Sequence, residues 1–350
     1  MNGFTRRTML AGTGAAAAGI ALWRFTSAAN AQSELLLGVP TDNSNSLPMM
    51  IAAAGGFLKE EGINARVTTG AAGTNTRQMI AAGQMPYAIG DIIHPLYLTG
   101  AGKPAKVLMV IDKRASITMM VTQELWDKGV RTVEQVGQYK KADGSKPQIG
   151  VTRIGAQTWL YGAHMLLKAG YLDNVNFVAL GDTGTTMGAF KSGRVDAVMA
   201  NTLVYFAIID EKLGQPVFNA TDGALWDKFF GGSFSGQGVF GLEEQVKADP
   251  KLAQGVVNAV FRSLRYLDKA KPADIYAKVD GKFMTSFKPE VAVREIEFLK
   301  PLFSDDGVIT KAQWENGGKV WFSEATKVKP QTFEAIVDLS FLKNAQKKYG

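Results

Sequence analysis

Residues Gln148–Gly170 read QIGVTRIGAQTWLYGAHMLLKAG. The stretch opens with a short apolar run at Ile149 and Val151, crosses a polar turn broken by glycine, and becomes a helix. From Thr158 onward Leu160, Tyr161, Ala163, Leu166 and Leu167 recur at helical spacing, and Gly170 supplies the stop. A strand leading through a polar turn into a helix gathers unpaired backbone N–H groups and the positive helix end at one spot. Such a spot receives anionic or strongly polar ligand groups. Arg153 lies in the turn, and Gln157, Thr158 and Trp159 sit at the helix entry. The same pattern describes an ordinary β–α unit with Arg153 in solvent, so the rest of the chain decides between the two.

Strand and helix patterns alternate on both sides of this stretch. Downstream, the spacing predicts a strand at Val175–Leu180, a helix from Thr185 to Ser192, a strand at Val195–Ala200 and a helix over Thr202–Leu213. Upstream, it predicts strands at Leu35–Val39, Ile63–Thr69, Tyr87–Ile89 and Val107–Ile111, with a helix over Leu47–Glu61 and a short one ending at Ala82. Ser116–Thr122 reads as a strand leaving this first unit, and the glycine-rich Phe229–Gly241 as the return crossing. MIAAGQMPYAIGD (Met79–Asp91) and GAFKSGRVDAVMAN (Gly188–Asn201) echo one another: helix end, glycine, tight turn, strand, polar residue. From Asp249 the chain is helical, with amphipathic packing helices that include Pro289–Phe303 and Thr332–Lys343, and a polar, solvated tail over Lys343–Gly350. Strands alternating with helices predict parallel, doubly wound sheets, whose ligands sit beyond the carboxyl ends of the strands.

The chain has 350 residues, enough for two domains, with 46% hydrophobic and 20% charged residues. Its formal charge is +7, but Arg6, Arg7 and Arg24 lie near the N-terminus in a segment without acids. Without them 36 basic residues face 32 acidic ones, and no Lys/Arg run offers a nucleic-acid footprint. Cysteine is absent, which excludes disulfides and thiolate chemistry. Thr5-Arg6-Arg7-Thr8-Met9-Leu10 is a twin-arginine pattern, followed by an Ala/Gly-rich apolar segment and the small-x-small triplet Ala29-Asn30-Ala31. Residues 1–31 are therefore expected to be an export signal, with the mature chain starting at Gln32 in a bacterial periplasm.

Four motifs resemble the extracytoplasmic solute-binding components of nitrate, aliphatic-sulfonate, taurine and thiamine-precursor ABC importers. LPMMIAAAGGFLKEEGI looks like that family's first helix, MIAAGQMPYAIGD its turn and strand, GVTRIGAQTWLYGAHMLLKAG its helix entry in the second lobe, and GAFKSGRVDAVMAN its Gly-x-Val-Asp-Ala strand. The resemblance implies an α/β, two-lobed, type II periplasmic binding protein. Each lobe would be a mainly parallel sheet flanked by helices, with two hinge crossings near Val121 and Gly236. Residues 32–121 and 237–350 would form the first lobe and 122–236 the second. It also implies a cleft lined by Asn43, Ser44, Asn45, Ser46, the Gly73-Thr74-Asn75 loop, Asp91, the Arg153–Trp159 turn, Thr183 and Asn201. Ser46 and Thr158 could equally be helix caps. Trp159 or Phe234 would cover an apolar body, and Arg114 and Arg153 are candidate partners for an acidic group.

The expected partners are a small polar or anionic organic ligand and an ABC permease. No nucleic acid, metal or cofactor is expected, and the chain should act as a monomer. A periplasmic sensor for a membrane receptor is an alternative. So is an enzyme on the same fold related to pyrimidine synthesis, for which His94 and His164 are the sole histidines and both read as structural. Replacing Arg6 and Arg7 together by Lys should leave the precursor in the cytoplasm. Fractionation showing normal periplasmic levels of that variant would refute twin-arginine export.

Overall fold

Among the described residues ten strands pair, five in one sheet and five in another, and both sheets are built to one plan. The strands are β1 (Leu35–Val39), β2 (Ala65–Thr69), β3 (Tyr87–Asp91), β4 (Ala105–Val110), β5 (Thr118–Thr122), β6 (Gln148–Val151), β7 (Asn176–Ala179), β8 (Ala197–Ala200), β9 (Gly214–Asn219) and β10 (Gln237–Leu242). The computed structural model describes residues 34–40, 44–70, 73–285 and 288–350. The expected export signal, including Arg6, Arg7 and Ala29–Ala31, and the candidate residue Asn43 lie outside the described residues.

The first sheet runs β2-β1-β3-β10-β4 and the second β7-β6-β8-β5-β9. In each, the first three strands are parallel and the fourth is antiparallel to both neighbours. The fourth strand arrives from the other half of the chain: β10 follows the second sheet's elements, and β5 follows the first sheet's. Each carries a register shift, between Val239 and Phe240 in β10 and between Met119 and Met120 in β5. The two echoing motifs end in β3 and β8, which hold the same central place in their sheets. β3 is buried along its length, as expected for a parallel strand covered on both faces.

Val121 thus lies inside β5, paired with Ala197 and Gln215, and the first crossing occupies residues 111–117. The apolar run SITMMVT reveals a strand but not which sheet accepts it. The helix expected over Leu47–Glu61 is two, Leu47–Ala54 and Phe57–Glu60, because Gly56 turns left-handed at φ 83°. The tail expected in solvent is instead the helix Ser340–Tyr349, which buries Leu342 and Ala345 and bonds Tyr349 to Glu61. Its apolar residues fall at helical spacing, enough to anchor an otherwise lysine-rich segment.

Among the described residues, two ties between the sheets stand out. At the crossings, Asp112 Oδ1 accepts from Ser235 Oγ at 2.6 Å, Gly236 N at 2.8 Å and Gln237 N at 3.0 Å. A side chain on Gly236 would sit 2.7 Å from Ala115 Cβ, so only glycine lets the crossings touch. The second tie is the helix Pro289–Leu299, which meets the helix Thr202–Asp210 of the second sheet. Phe298 lies against Tyr205 and Phe206, with ring centroids 5.2 and 5.4 Å away. Glu295 is fully buried there, and its carboxylate accepts from Ser44 N, Ser44 Oγ at 2.6 Å and Thr202 Oγ. Burial pushes this carboxyl above its ordinary range, against the pull of those donors. Glu295→Ala strands three buried donors and should lower stability by about 1–3 kcal/mol, read as a fall in the urea midpoint. Thr202→Val removes one donor and should cost less.

Candidate ligand site between the sheets

Asp91 closes β3, and the β10 register sets Gln237 directly opposite it, so both side chains stand on one face of the sheet. Asp91 Oδ1 accepts from Ile93 N at 2.8 Å. Among the described residues its buried Oδ2 and Gln237 Oε1 find no donor. Burial raises the Asp91 carboxyl to about 7, with the Ile93 amide and Gln157 acting in the opposite direction. Gln157 is the first residue of the helix Gln157–Lys168, and so brings the second sheet to this point. It comes near enough to favour the carboxylate, yet its Nε2 closes no hydrogen bond of normal geometry.

One turn further along that helix, Tyr161 is fully buried, stacked on Phe234 with centroids 6.2 Å apart, and its hydroxyl has no partner among the described residues. Burial, then the charges of Asp91 and Asp112, push the phenol well above its usual range. Asp112 is also raised to about 7, by burial first, although three donors hold it. Two acids and a tyrosine thus face one interior region.

The helix Gly73–Ala81 forms another wall. Thr74 and Arg77, three residues apart, share one face, and both Thr74 Oγ1 and Arg77 Nη1 are buried without a partner among the described residues. The Arg77 guanidinium lies 4.6 Å over the Tyr97 ring. Gly73 is required beside it, because a Cβ there would lie 2.3 Å from His94 Nε2. His94 is buried with Nδ1 unpartnered, and burial, then Arg77, lower it to about 3, so its ring is neutral. Tyr97 Oη donates to Thr326 O at 3.3 Å and lies 3.8 Å from where a Cβ on Gly155 would be, at the turn after β6.

Of the sequence candidates, Asp91, Gln157, Gly73 and Thr74 belong to this assembly. The others are placed differently. Ser44 bonds Glu295, and Asn45 Oδ1 accepts from Ser116 Oγ at 2.6 Å. Ser46 is buried at a helix start without a side-chain cap bond, and Asn75 Nδ2 donates to Gly70 O at 2.8 Å. Thr158 is not the helix cap: its Oγ1 accepts from Thr152 N at 2.9 Å and fastens the turn, while Ala156 holds the cap position. Trp159 is half-buried against the core, and Arg153 is exposed on the turn. Arg114 packs against Gly223, where a Cβ would be 3.3 Å from its Nη1. Thr183 starts a helix capped by Asp182, and Asn201 Oδ1 caps the next by accepting from Val204 N at 3.0 Å. Phe234 has no free face to cover a ligand, because Tyr161, Trp226, Phe230 and Trp321 enclose it.

Sequence reasoning passed over Arg77, Asp112, Tyr161 and Gln237. Thr74 and Arg77 at helical spacing after a glycine loop were the readable signal for the first. Asp112, just past an apolar strand, resembles any loop acid until the second crossing lies beside it.

A family model described as NMT1-like matches residues 29–280. The chain belongs to the NMT1-like family. Among solved structures, a protein of Bordetella bronchiseptica RB50 is similar at 23% identity, covering 90% of this chain and 97% of its own, with a TM-score of 0.76. The periplasmic nitrate-binding protein NrtA of Synechocystis PCC 6803 is 12% identical over 90% of this chain and 89% of its own, TM-score 0.73. The alkanesulfonate-binding protein SsuA of Xanthomonas axonopodis pv. citri, bound to MOPS, is 15% identical over 87% and 98%, TM-score 0.68. No curated protein matches the sequence. The α/β fold, two mixed sheets flanked by helices, is that of these periplasmic binding proteins.

The raised Asp91 carboxyl has a stability consequence. Near pH 4 the folded protein holds this group protonated, and Asn is a close stand-in. As pH rises toward 7 and beyond, the unfolded chain gives up the proton readily while the folded one must bury a charge, so wild type loses stability. Asp91→Asn should therefore match wild type near pH 4 and exceed it at pH 8. Equal urea midpoints at pH 8 would contradict a buried, uncompensated carboxylate.

Proposed function

We propose that this chain is the extracytoplasmic solute-binding component of an ABC importer, exported to the periplasm by its twin-arginine leader. It captures a small polar organic ligand between a first lobe built on β1–β4 and β10 and a second built on β5–β9, and acts as a monomer with a membrane permease as partner. One observation carries the reading. Buried polar atoms of both sheets, on Thr74, Arg77, Asp91, His94, Gln157, Tyr161 and Gln237, converge without partners among the described residues. Folded proteins seldom leave such groups unmatched, because each costs about 1–3 kcal/mol. Their place at the carboxyl end of β3 and the start of a facing helix is where doubly wound folds bind ligands. Membership of the NMT1-like family and likeness to nitrate- and sulfonate-binding proteins support solute capture over catalysis.

A thermal-shift screen of small anions, sulfonates, carboxylates and amino acids on the chain from Gln32 tests this. A ligand at about a hundred times its Kd should stabilise the protein by about 2.7 kcal/mol. The same ligand should shrink the radius of gyration in small-angle scattering, as hinge closure requires. Unchanged melting temperature across the screen would defeat the proposal.

A further inference from the structure

Away from the cleft, three helices border a cavity of about 280 Å³ that none of the cleft residues lines. His164, Leu167 and Lys168 reach it from the far end of the helix Gln157–Lys168, Phe229 and Phe230 from the end of the helix Gly223–Phe230, and Lys319 from the helix Lys311–Trp321. Lys168 stands about 16 Å along the helix axis from Gln157, the residue that this helix gives to the cleft. The inner walls are buried and aromatic. The His164 ring stacks on Phe230 with centroids 5.4 Å apart and planes 17° from parallel, and Phe229 is buried beside them. The outer walls are exposed. Leu167, at 39%, is one of the two exposed large apolar side chains among the described residues, and both lysines are exposed with it.

Charge at this cavity has one sign. No acid lines it, and neither lysine forms an ion pair among the described residues. Lys319 Nζ donates to Asn316 Oδ1 at 3.2 Å and lies 4.0 Å from where a Cβ on Gly231 would be. As last-turn residues both lysines favour their own helix ends, but that role asks for neither a cavity nor an exposed leucine. His164 Nε2 lies 3.3 Å from the Phe229 carbonyl oxygen, which only accepts, so this nitrogen carries the proton. Burial first lowers the ring to about 4 and keeps it neutral. Its Nδ1 is then a buried acceptor without a partner among the described residues, open to a polar substituent on a bound ring.

Independently of the cleft, we propose that this cavity is a second binding site, for a small aromatic acid held as its anion. The ring lies against Phe229, Phe230 and Leu167, and the acidic group meets Lys168 and Lys319. A dry apolar cavity of about 150 Å³ already holds benzene, so the volume here admits a ring with a short acidic arm, or a fused pair of rings. The buried walls supply apolar area, and the two ammonium groups supply charge-assisted hydrogen bonds that a neutral ring cannot use. An anion without a ring meets the lysines alone, in water, where such pairs contribute little.

Calorimetric titration on the chain from Gln32 tests this with matched probes. Phenylacetate and 2-naphthoate carry ring and charge; 2-naphthalenemethanol lacks the charge; acetate lacks the ring. At least one aromatic acid should bind at least tenfold more tightly than the alcohol and than acetate. Replacing Lys168 and Lys319 together by Gln should erase that advantage. Both side chains are exposed, and circular dichroism should show the variant folded. Leu167→Cys gives the chain its only thiol, because the sequence has no cysteine. The aromatic acid, at a concentration saturating for that variant, should slow alkylation of the thiol at least threefold. The inference is overturned if neither aromatic acid binds, if the alcohol or acetate binds as tightly, or if alkylation proceeds at an unchanged rate. It is also overturned if the lysine variant keeps wild-type affinity, which puts the acid elsewhere, the cleft included. The solute-binding reading is decided by its own screen and by hinge closure, and none of these outcomes alters it.

Discussion

Asp91 sits inside the protein with one oxygen on the amide of Ile93 and the other near Gln157 without a hydrogen bond of normal geometry, at the point where both sheets contribute side chains. A carboxylate in that position must be paired or neutralised, and burial raises it to about 7. Asp112 faces the same interior and is raised as far, although three donors from the second crossing hold one of its oxygens. The two acids differ in what lies opposite. Asp112 meets backbone N–H groups that the fold always supplies, whereas Asp91 meets groups that leave its second oxygen open.

The shared plan of the sheets makes this arrangement a property of the hinge as well as of the site. Each sheet borrows its antiparallel strand from the far side of a crossing. Asp112 therefore grips the residue that starts β10, and that residue, Gln237, is Asp91's cross-strand neighbour. Rotation about the crossings cannot move Gln237 without straining the Asp112 bonds. The acceptor pair belongs to the first sheet, while Gln157 and Tyr161 stand on a helix of the second. The helix Pro289–Leu299 adds a contact across the same gap through Glu295 and Phe298.

The alternation of short apolar strands with helices made the two-unit α/β architecture legible, and the echo between Met79–Asp91 and Gly188–Asn201 pointed to equivalent central strands. Such patterns are local, set by the two-residue and 3.6-residue periods of side chains. Partnership between sheets is not local. Nothing in SITMMVT says that β5 pairs with β8 and β9, so the crossing was placed too late in the chain. The site was legible in the same uneven way. Asp91 and Gln157 stood out as polar residues at a strand end and a helix entry. Arg153, in an equally suggestive place, is in solvent, and Arg77 was hidden in an ordinary-looking helix. Orientation decides between these two arginines, and orientation depends on what packs against each helix.

Local stability and binding pull in opposite directions at this site. Each unmatched buried atom costs about 1–3 kcal/mol. The large aromatic wall of Tyr161, Trp226, Phe230, Phe234 and Trp321 beneath the site offsets that cost by burying ring surface. A rigid wall also keeps Tyr161 from turning to satisfy its own hydroxyl. If these groups form the ligand site, a ligand that fits them would gain hydrogen bonds without the cost of ordering the side chains. A core that let these groups pair among themselves would be more stable and would have less to offer a ligand.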